Sequence, residues 1–214
     1  MVVDTSSLSP GKIGRCRRLP LGRAATLIAL LVAAGVPAAI AAPQAELWPR
    51  WEAHDPGSTE RVDHTAWADF LDGYLVTDHP SGVNMVEYAS VTEADRTSLD
   101  RYVASLERTA VSRLNRDEQL AFWINLYNAA TVKLILDNYP VDSIRDIKPG
   151  VFASGPWDMD VLEVEGVAVT LNDVEHRIIR PIWQDPRIHY VVNCASYGCP
   201  NLYPEPLTAD NWDR

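Results

Sequence analysis

Cysteine is scarce in this sequence, and the scarcity excludes more than it permits. Only Cys16, Cys194 and Cys199 occur among 214 residues, too few for the dense framework of a small disulfide-stapled domain. The Cys194-x4-Cys199 interval has no second compact ligand pair beside it. With only His176 and His189 to complete a set, no metal and no cofactor is expected. Basic residues are also few, 19 Lys and Arg against 29 Asp and Glu for a net charge of −10, which opposes binding to nucleic acid or to an anionic membrane. Missing too is an uninterrupted apolar run of the roughly 20 residues that a membrane span requires.

What is present begins with an export signal over residues 1–41. Lys12, Arg15, Arg17, Arg18 and Arg23 supply the basic region, Ala24 to Ile40 the apolar one, and Ala39-Ile40-Ala41 the small-x-small cleavage pattern. Gly35 and Pro37 interrupt the apolar run, so it reads as a cleaved signal, and no stable membrane span is expected afterwards. Pro20 stands where a twin-arginine motif needs an apolar side chain, which favours general secretion. No cysteine follows the run to carry a lipid. Cleavage removes five Lys/Arg and one Asp, leaving 14 basic against 28 acidic residues. An exported protein, periplasmic or extracellular and strongly acidic, is the expectation.

Residues 42–62 are rich in Pro, Gly and Ser without periodicity and read as a linker, and 63–214 as a single globular domain. Trp67, Phe70, Leu71 and Tyr74 follow helical spacing, as do Leu99, Tyr102, Val103 and Leu106. Val83 to Tyr88 reads as a short extended segment. Asn115 and Glu118 resemble a capping box opening a helix that is apolar on nearly every face from Leu120 to Leu136, as expected of a helix surrounded by others. Within that sheath Asn125 and Asn128 share a side with Glu118. Buried amides need partners, so they either form a structural network or line a pocket. One helical turn is expected over Ser143 to Ile147. Glu165-Gly166 joins two short runs as a hairpin; a helix starts at Thr170 or Asn172 and closes or kinks at Arg180-Pro181; a strand is expected from Ile188 to Asn193. The fold class is therefore α+β, with several helices around a central buried helix packed on a small sheet that includes a β-hairpin. The helix start after Thr208 breaks off, so the domain is expected to be incomplete at its C-terminal end.

Reactive groups concentrate from Asn193 to Pro200. In an oxidising compartment Cys194 and Cys199 default to a disulfide; if Cys194 is free it needs a base. On a regular strand His189, five residues away, would point to the opposite face about 16 Å along. His176 approaches from a separate helix, with Glu175 or Asp173 to orient it. Ser196 imitates a hydrolase elbow, but Pro200, Pro204 and Pro206 forbid the following helix, and no His comes later in the chain.

The blocks Leu120 to Ala129, Leu171 to His176, and Arg187 through Asn193-Cys194-Ala195-Ser196 to Cys199-Pro200 resemble the family known as domain of unknown function 547, over most of the chain after about residue 63. The resemblance implies an α+β domain, usually exported in bacteria, that generally continues with further helices after the Cys-Pro block. It implies no settled activity. Two readings follow. The first is a periplasmic binding or interaction module for a small-molecule, peptide or protein partner, with the polar groups serving structure. The alternative is a thiol-dependent hydrolase or acyl-transferase acting on amide or ester bonds, with Cys194 as nucleophile, His176 as base, Glu175 as orienter and Asn125 or Asn193 as oxyanion donor. Against the alternative, papain-like enzymes place Cys before His in the chain, the reverse of the order here.

The signal predicts a mature protein beginning at Ala42. Intact mass of the protein recovered from the periplasm will show that N-terminus, whereas a full-length chain retained in the membrane fraction would contradict it.

Overall fold

Asn115 sets the start of the element on which the rest is built. In the computed structural model, which describes residues 44–148, 150, 155–196 and 198–212, its side-chain oxygen accepts from the Glu118 N–H at 3.0 Å and so caps the helix. That helix, α3 (Arg116–Asp137), buries side chains around its whole circumference, among them Phe122, Trp123, Ile124 and Leu126. It ends at Asn138, followed by Pro140, which cannot continue a helix.

Two shorter helices pack ahead of it. α1 (Thr65–Tyr74) and α2 (Glu93–Glu107) each turn one apolar face inward, Trp67, Phe70 and Leu71 from the first and Leu99, Tyr102, Val103 and Leu106 from the second. Between them β1 (Leu75–Val76) pairs antiparallel with β2 (Met85–Val86), so the extended segment expected from Val83 to Tyr88 is a strand over two residues, and Tyr88 opens a 3-10 turn. Ser143 caps a single 3-10 turn at Ile144–Asp146. β3 (Leu162–Val164) and β4 (Val167–Val169) form the hairpin, with Glu165 at φ 48° and Gly166 at φ 72°. Those two left-handed residues make the turn whose twist matches antiparallel strands. Glu165 tolerates the position because its carboxylate accepts from the Ser112 N–H at 2.9 Å and from its hydroxyl at 2.6 Å.

Thr170 and Asp173 then cap one another: Asp173 accepts from the Thr170 N–H and Oγ1, and its own N–H donates to Thr170 Oγ1 at 3.0 Å. The helix that follows is wide-wound, π-helical over Asp173–Ile179, and runs on into α4 (Arg180–Trp183). It does not close at Arg180-Pro181. Pro181 has no N–H for the Arg177 carbonyl, and the Arg180 N–H bonds Glu175 in the wider register, which frees His176 O as well. Both carbonyls are taken by the N-terminal segment, Glu46 N–H to His176 O at 3.0 Å and Trp48 N–H to Arg177 O at 2.9 Å. The described part, residues 44–62, of the segment 42–62 expected as a linker is thus held to the domain at several points. Trp51 is 2% exposed, Gln119 donates to Ala53 O, and Glu118 accepts from the Val62 N–H. A Pro, Gly and Ser composition does not distinguish a free connector from an irregular segment held to the domain by hydrogen bonds at several points.

The C-terminal strand is the other departure. Pro186–Tyr190 forms a 3-10 turn, because the Asp185 carboxylate accepts from the Arg187 N–H at 2.8 Å and Pro186 fixes φ in the helical range. Among the described residues, then, four α-helices and two small antiparallel two-stranded sheets share one core, an α+β fold with a hairpin, and no helix is long and apolar enough to cross a membrane. Residues 1–41, expected as an export signal, lie outside the described residues.

His64, at the start of α1, is a buried titrating group in this core. Its Nδ1 lies 2.6 Å from the Tyr102 hydroxyl, and burial, opposed by Asp63, pulls its pKa down to about 4. The unfolded chain therefore binds a proton that the folded chain refuses between pH 6.5 and 4. The His64 contribution is fully present above the ordinary imidazole range and is lost as pH falls through that window, by about 3 kcal/mol at its lower end. Urea melts at pH 7 and pH 4 should show a smaller acid loss in His64→Gln than in the parent by about that amount; equal losses would contradict it.

Candidate functional site

The cysteine loop is built from Asn128 outward. Within the sheath of α3 its amide donates to Val191 O at 2.8 Å and its carbonyl accepts from the Asn193 N–H at 2.9 Å, gripping the chain just before Cys194. Asn193 continues the work: its carbonyl accepts from the Ala195 N–H at 2.8 Å and its amide donates to Pro200 O at 2.6 Å. The first of these bonds holds Ala195 in the left-handed region at φ 54°, and the second closes the loop across its neck. Inside, the Cys199 N–H donates to Ser196 O at 2.9 Å. Cys194 and Cys199 are joined as a disulfide with their Cα atoms 6.0 Å apart, within the ordinary span of such a bridge. The Ser196 hydroxyl lies 3.4 Å from each sulfur. Neither sulfur carries a hydrogen while bonded to the other, so the hydroxyl is the donor.

This loop forms one wall of a groove of about 290 Å³. Val132 and Ile135 of α3 line it together with Met85 and Val86 of β2, Leu202 and the ring of Tyr88; Tyr139 stacks on Tyr88 with ring centroids 6.2 Å apart. Asp142, Ser143, Asn193, Ser196 and Cys199 supply the polar part of the lining. Burial pushes the Tyr88 phenol above its usual range, so it stays neutral. An apolar cavity with a few convergent polar groups is what a binding site for a small or extended ligand requires.

His176 belongs to a different cavity, lined also by Asp158, Thr170, Asn172 and Asp173. Its Nδ1 accepts from the Arg180 guanidinium at 2.6 Å, which leaves Nε2 as the protonated nitrogen facing the Glu175 carboxylate at 3.9 Å. Burial lowers its pKa; Glu175 opposes that, and the neighbouring Arg180 and His189 reinforce it. Glu175 also receives the Tyr127 hydroxyl at 3.4 Å. His176 is thus a neutral imidazole whose basic nitrogen is already occupied. His189, placed on an exposed 3-10 turn and not on a strand, lines a third cavity with Arg180 and Asp185.

The four sequence-nominated catalytic residues therefore fall in three places. Cys194 is in the disulfide, Glu175 and His176 are together behind Tyr127 and Arg180, and Asn125 is 1% exposed with both ends of its amide on Leu207, donating to O at 2.7 Å and accepting from N–H at 3.1 Å. Sequence reasoning missed the groove, whose apolar residues come from segments that are distant in the chain. It also missed Arg180 on His176, for which the four-residue spacing on a helix was the available signal.

Compared with known proteins, residues 111–214 match the model of a family described as protein of unknown function, DUF547. All three motif blocks lie inside the matched span, while α1 and α2 precede it. No curated protein and no solved structure matches the chain.

Asn125 and Asn128 each hold two backbone groups of another segment. Replacing either by Leu leaves those groups buried and unpaired, at a cost of about 1 to 3 kcal/mol. Denaturant melts of Asn125→Leu and Asn128→Leu should both show that loss, and an unchanged midpoint would contradict the gripping role.

Proposed function

We propose that this chain, which through residues 111–214 belongs to the DUF547 family, is an exported binding module whose site is the groove beside the Cys194–Cys199 disulfide. The observation that carries the reading is the junction of that apolar groove with a strand edge. Among the described residues β2 has a strand partner on one side only, both of its residues line the groove, and Asn84 just before it donates its N–H to Asn201 Oδ1 at 2.9 Å. An extended peptide can therefore run along β2 while its side chains occupy the apolar floor, the recognition mode in which backbone bonds give affinity and pockets give selectivity. A neutral or basic apolar peptide fits best, because the protein is acidic and Asp142 stands at the rim. Export is supported by the basic, apolar, small-residue order at the N-terminus and by a disulfide, which persists outside the reducing cytosol.

The hydrolase reading needs a Cys194 thiolate beside a basic nitrogen of His176. The disulfide removes the first and the Arg180 guanidinium occupies the second, so the binding reading is preferred.

Titration calorimetry with the blocked peptide acetyl-Val-Phe-Ser-Leu-amide should give saturable binding. Val83→Glu and Tyr139→Ala, at the partly exposed and exposed margins of the groove, should each weaken it by about tenfold, or about 1.4 kcal/mol. Absence of binding, or affinity that ignores both changes, would overturn the assignment.

A further inference from the structure

We infer that the Cys194–Cys199 disulfide is a thiol–disulfide exchange site that accepts electrons from a thiol-bearing apolar peptide lying in the groove. The inference rests on the groove being the binding site and adds a chemistry to it. Three observations converge. First, Cys199 itself lines the groove, so a docked thiolate meets a bonded sulfur. Second, the Ser196 hydroxyl stands 3.4 Å from both sulfurs, and whichever sulfur departs finds a hydrogen-bond donor already in place. Exchange is faster when the leaving thiol has a lower pKa, and a donor aimed at the thiolate lowers it. Third, the loop does not depend on the bridge for its shape. Asn193 ties Ala195 to Pro200 O, the Cys199 N–H bonds Ser196 O, and Asn128 anchors the neck. A bridge across five residues closes only a short loop, where the restraint on the unfolded chain is smallest. Reduction therefore leaves two thiols held near one another, as a reversible couple needs.

The step balances as follows. A peptide thiolate attacks Cys199 Sγ; a peptide–Cys199 bond forms, the Cys194–Cys199 bond breaks, and Cys194 leaves as a thiolate, hydrogen-bonded by Ser196 and then protonated from solvent. A second peptide thiolate attacks the peptide sulfur of the mixed disulfide and releases Cys199. Two peptide thiols are oxidised to one peptide disulfide, the protein disulfide is reduced to two thiols, and the two protons the peptides lost are matched by two gained on the cysteines.

The test uses the full chain carrying Cys16→Ser, under argon, with two probes at equal thiolate concentration: reduced glutathione and acetyl-Val-Phe-Cys-Leu-amide. Reduction is followed by alkylation and mass spectrometry. The peptide should reduce the bridge about tenfold faster than glutathione, through proximity. Val83→Glu should bring the ratio of the peptide rate to the glutathione rate down to about one. Ser196→Ala should slow both probes roughly threefold, the effect of raising a leaving-group pKa by one unit. In Cys194→Ser, the oxidised peptide should give a mixed disulfide mapped to Cys199. A bridge that resists both probes at millimolar concentration while the cysteine-free peptide still binds overturns the exchange chemistry and spares the groove. Equal rates for the two probes, insensitive to Val83→Glu, overturn the docked peptide and the reading beneath it. Unchanged rates in Ser196→Ala overturn the leaving-group assignment.

Discussion

Everything in this domain hangs on a polar stripe inside an apolar helix. α3 is buried on all sides, yet Glu118, Asn125 and Asn128 lie along it, and each grips the backbone of a segment that has no regular partner: Glu118 holds Val62, Asn125 holds Leu207, and Asn128 holds Val191 and Asn193. Irregular backbone can enter a core only when its N–H and C=O groups are satisfied. The stripe provides that satisfaction, which is how a domain with little strand can pack an N-terminal segment, a cysteine loop and a C-terminal turn against one helix. The same fact ties stability to site geometry, because the bonds that bury Asn128 also aim the loop carrying Cys194 and Cys199.

The chemistry divides accordingly. Around His176 the groups satisfy one another: Arg180 on Nδ1, Glu175 opposite Nε2, Tyr127 on Glu175, and the N-terminal segment on the carbonyls that Pro181 and the wide helix leave over. That cluster reads as a closed polar network. At the disulfide the polar groups instead border an apolar groove lined by a strand that, among the described residues, has a strand partner on one side only.

Legibility followed the range of the interaction that decides each element. The helices over Trp67–Tyr74 and Leu99–Leu106, the capped start at Asn115 and the Glu165-Gly166 turn are decided by side chains within a few residues, and the sequence states them. The family resemblance was carried by blocks inside the matched residues 111–214. Ile188 to Asn193 misled because an apolar run suggested a strand, while Asp185 and Pro186 immediately before it impose a turn. The docking of 44–62 was illegible for another reason: its bonds go to Glu118, Gln119, His176 and Arg177, residues far along the chain with no pattern linking them. Within the site, spacing alone leaves Cys194 and Cys199 readable as a bridge or as free thiols, and the separation of Cys194 from the Arg180-bound His176 depends on contacts between segments far apart in the chain.

The central claim is that ligand contact occurs at the groove. Chemical-shift mapping on isotopically labelled protein, with acetyl-Val-Phe-Ser-Leu-amide added stepwise, tests it residue by residue. The account predicts saturating shifts at Met85, Val86, Ser196 and Cys199 with His176 and Asp158 unmoved. Shifts clustered at His176, Asn172 and Asp158 with the cysteine loop silent would contradict it.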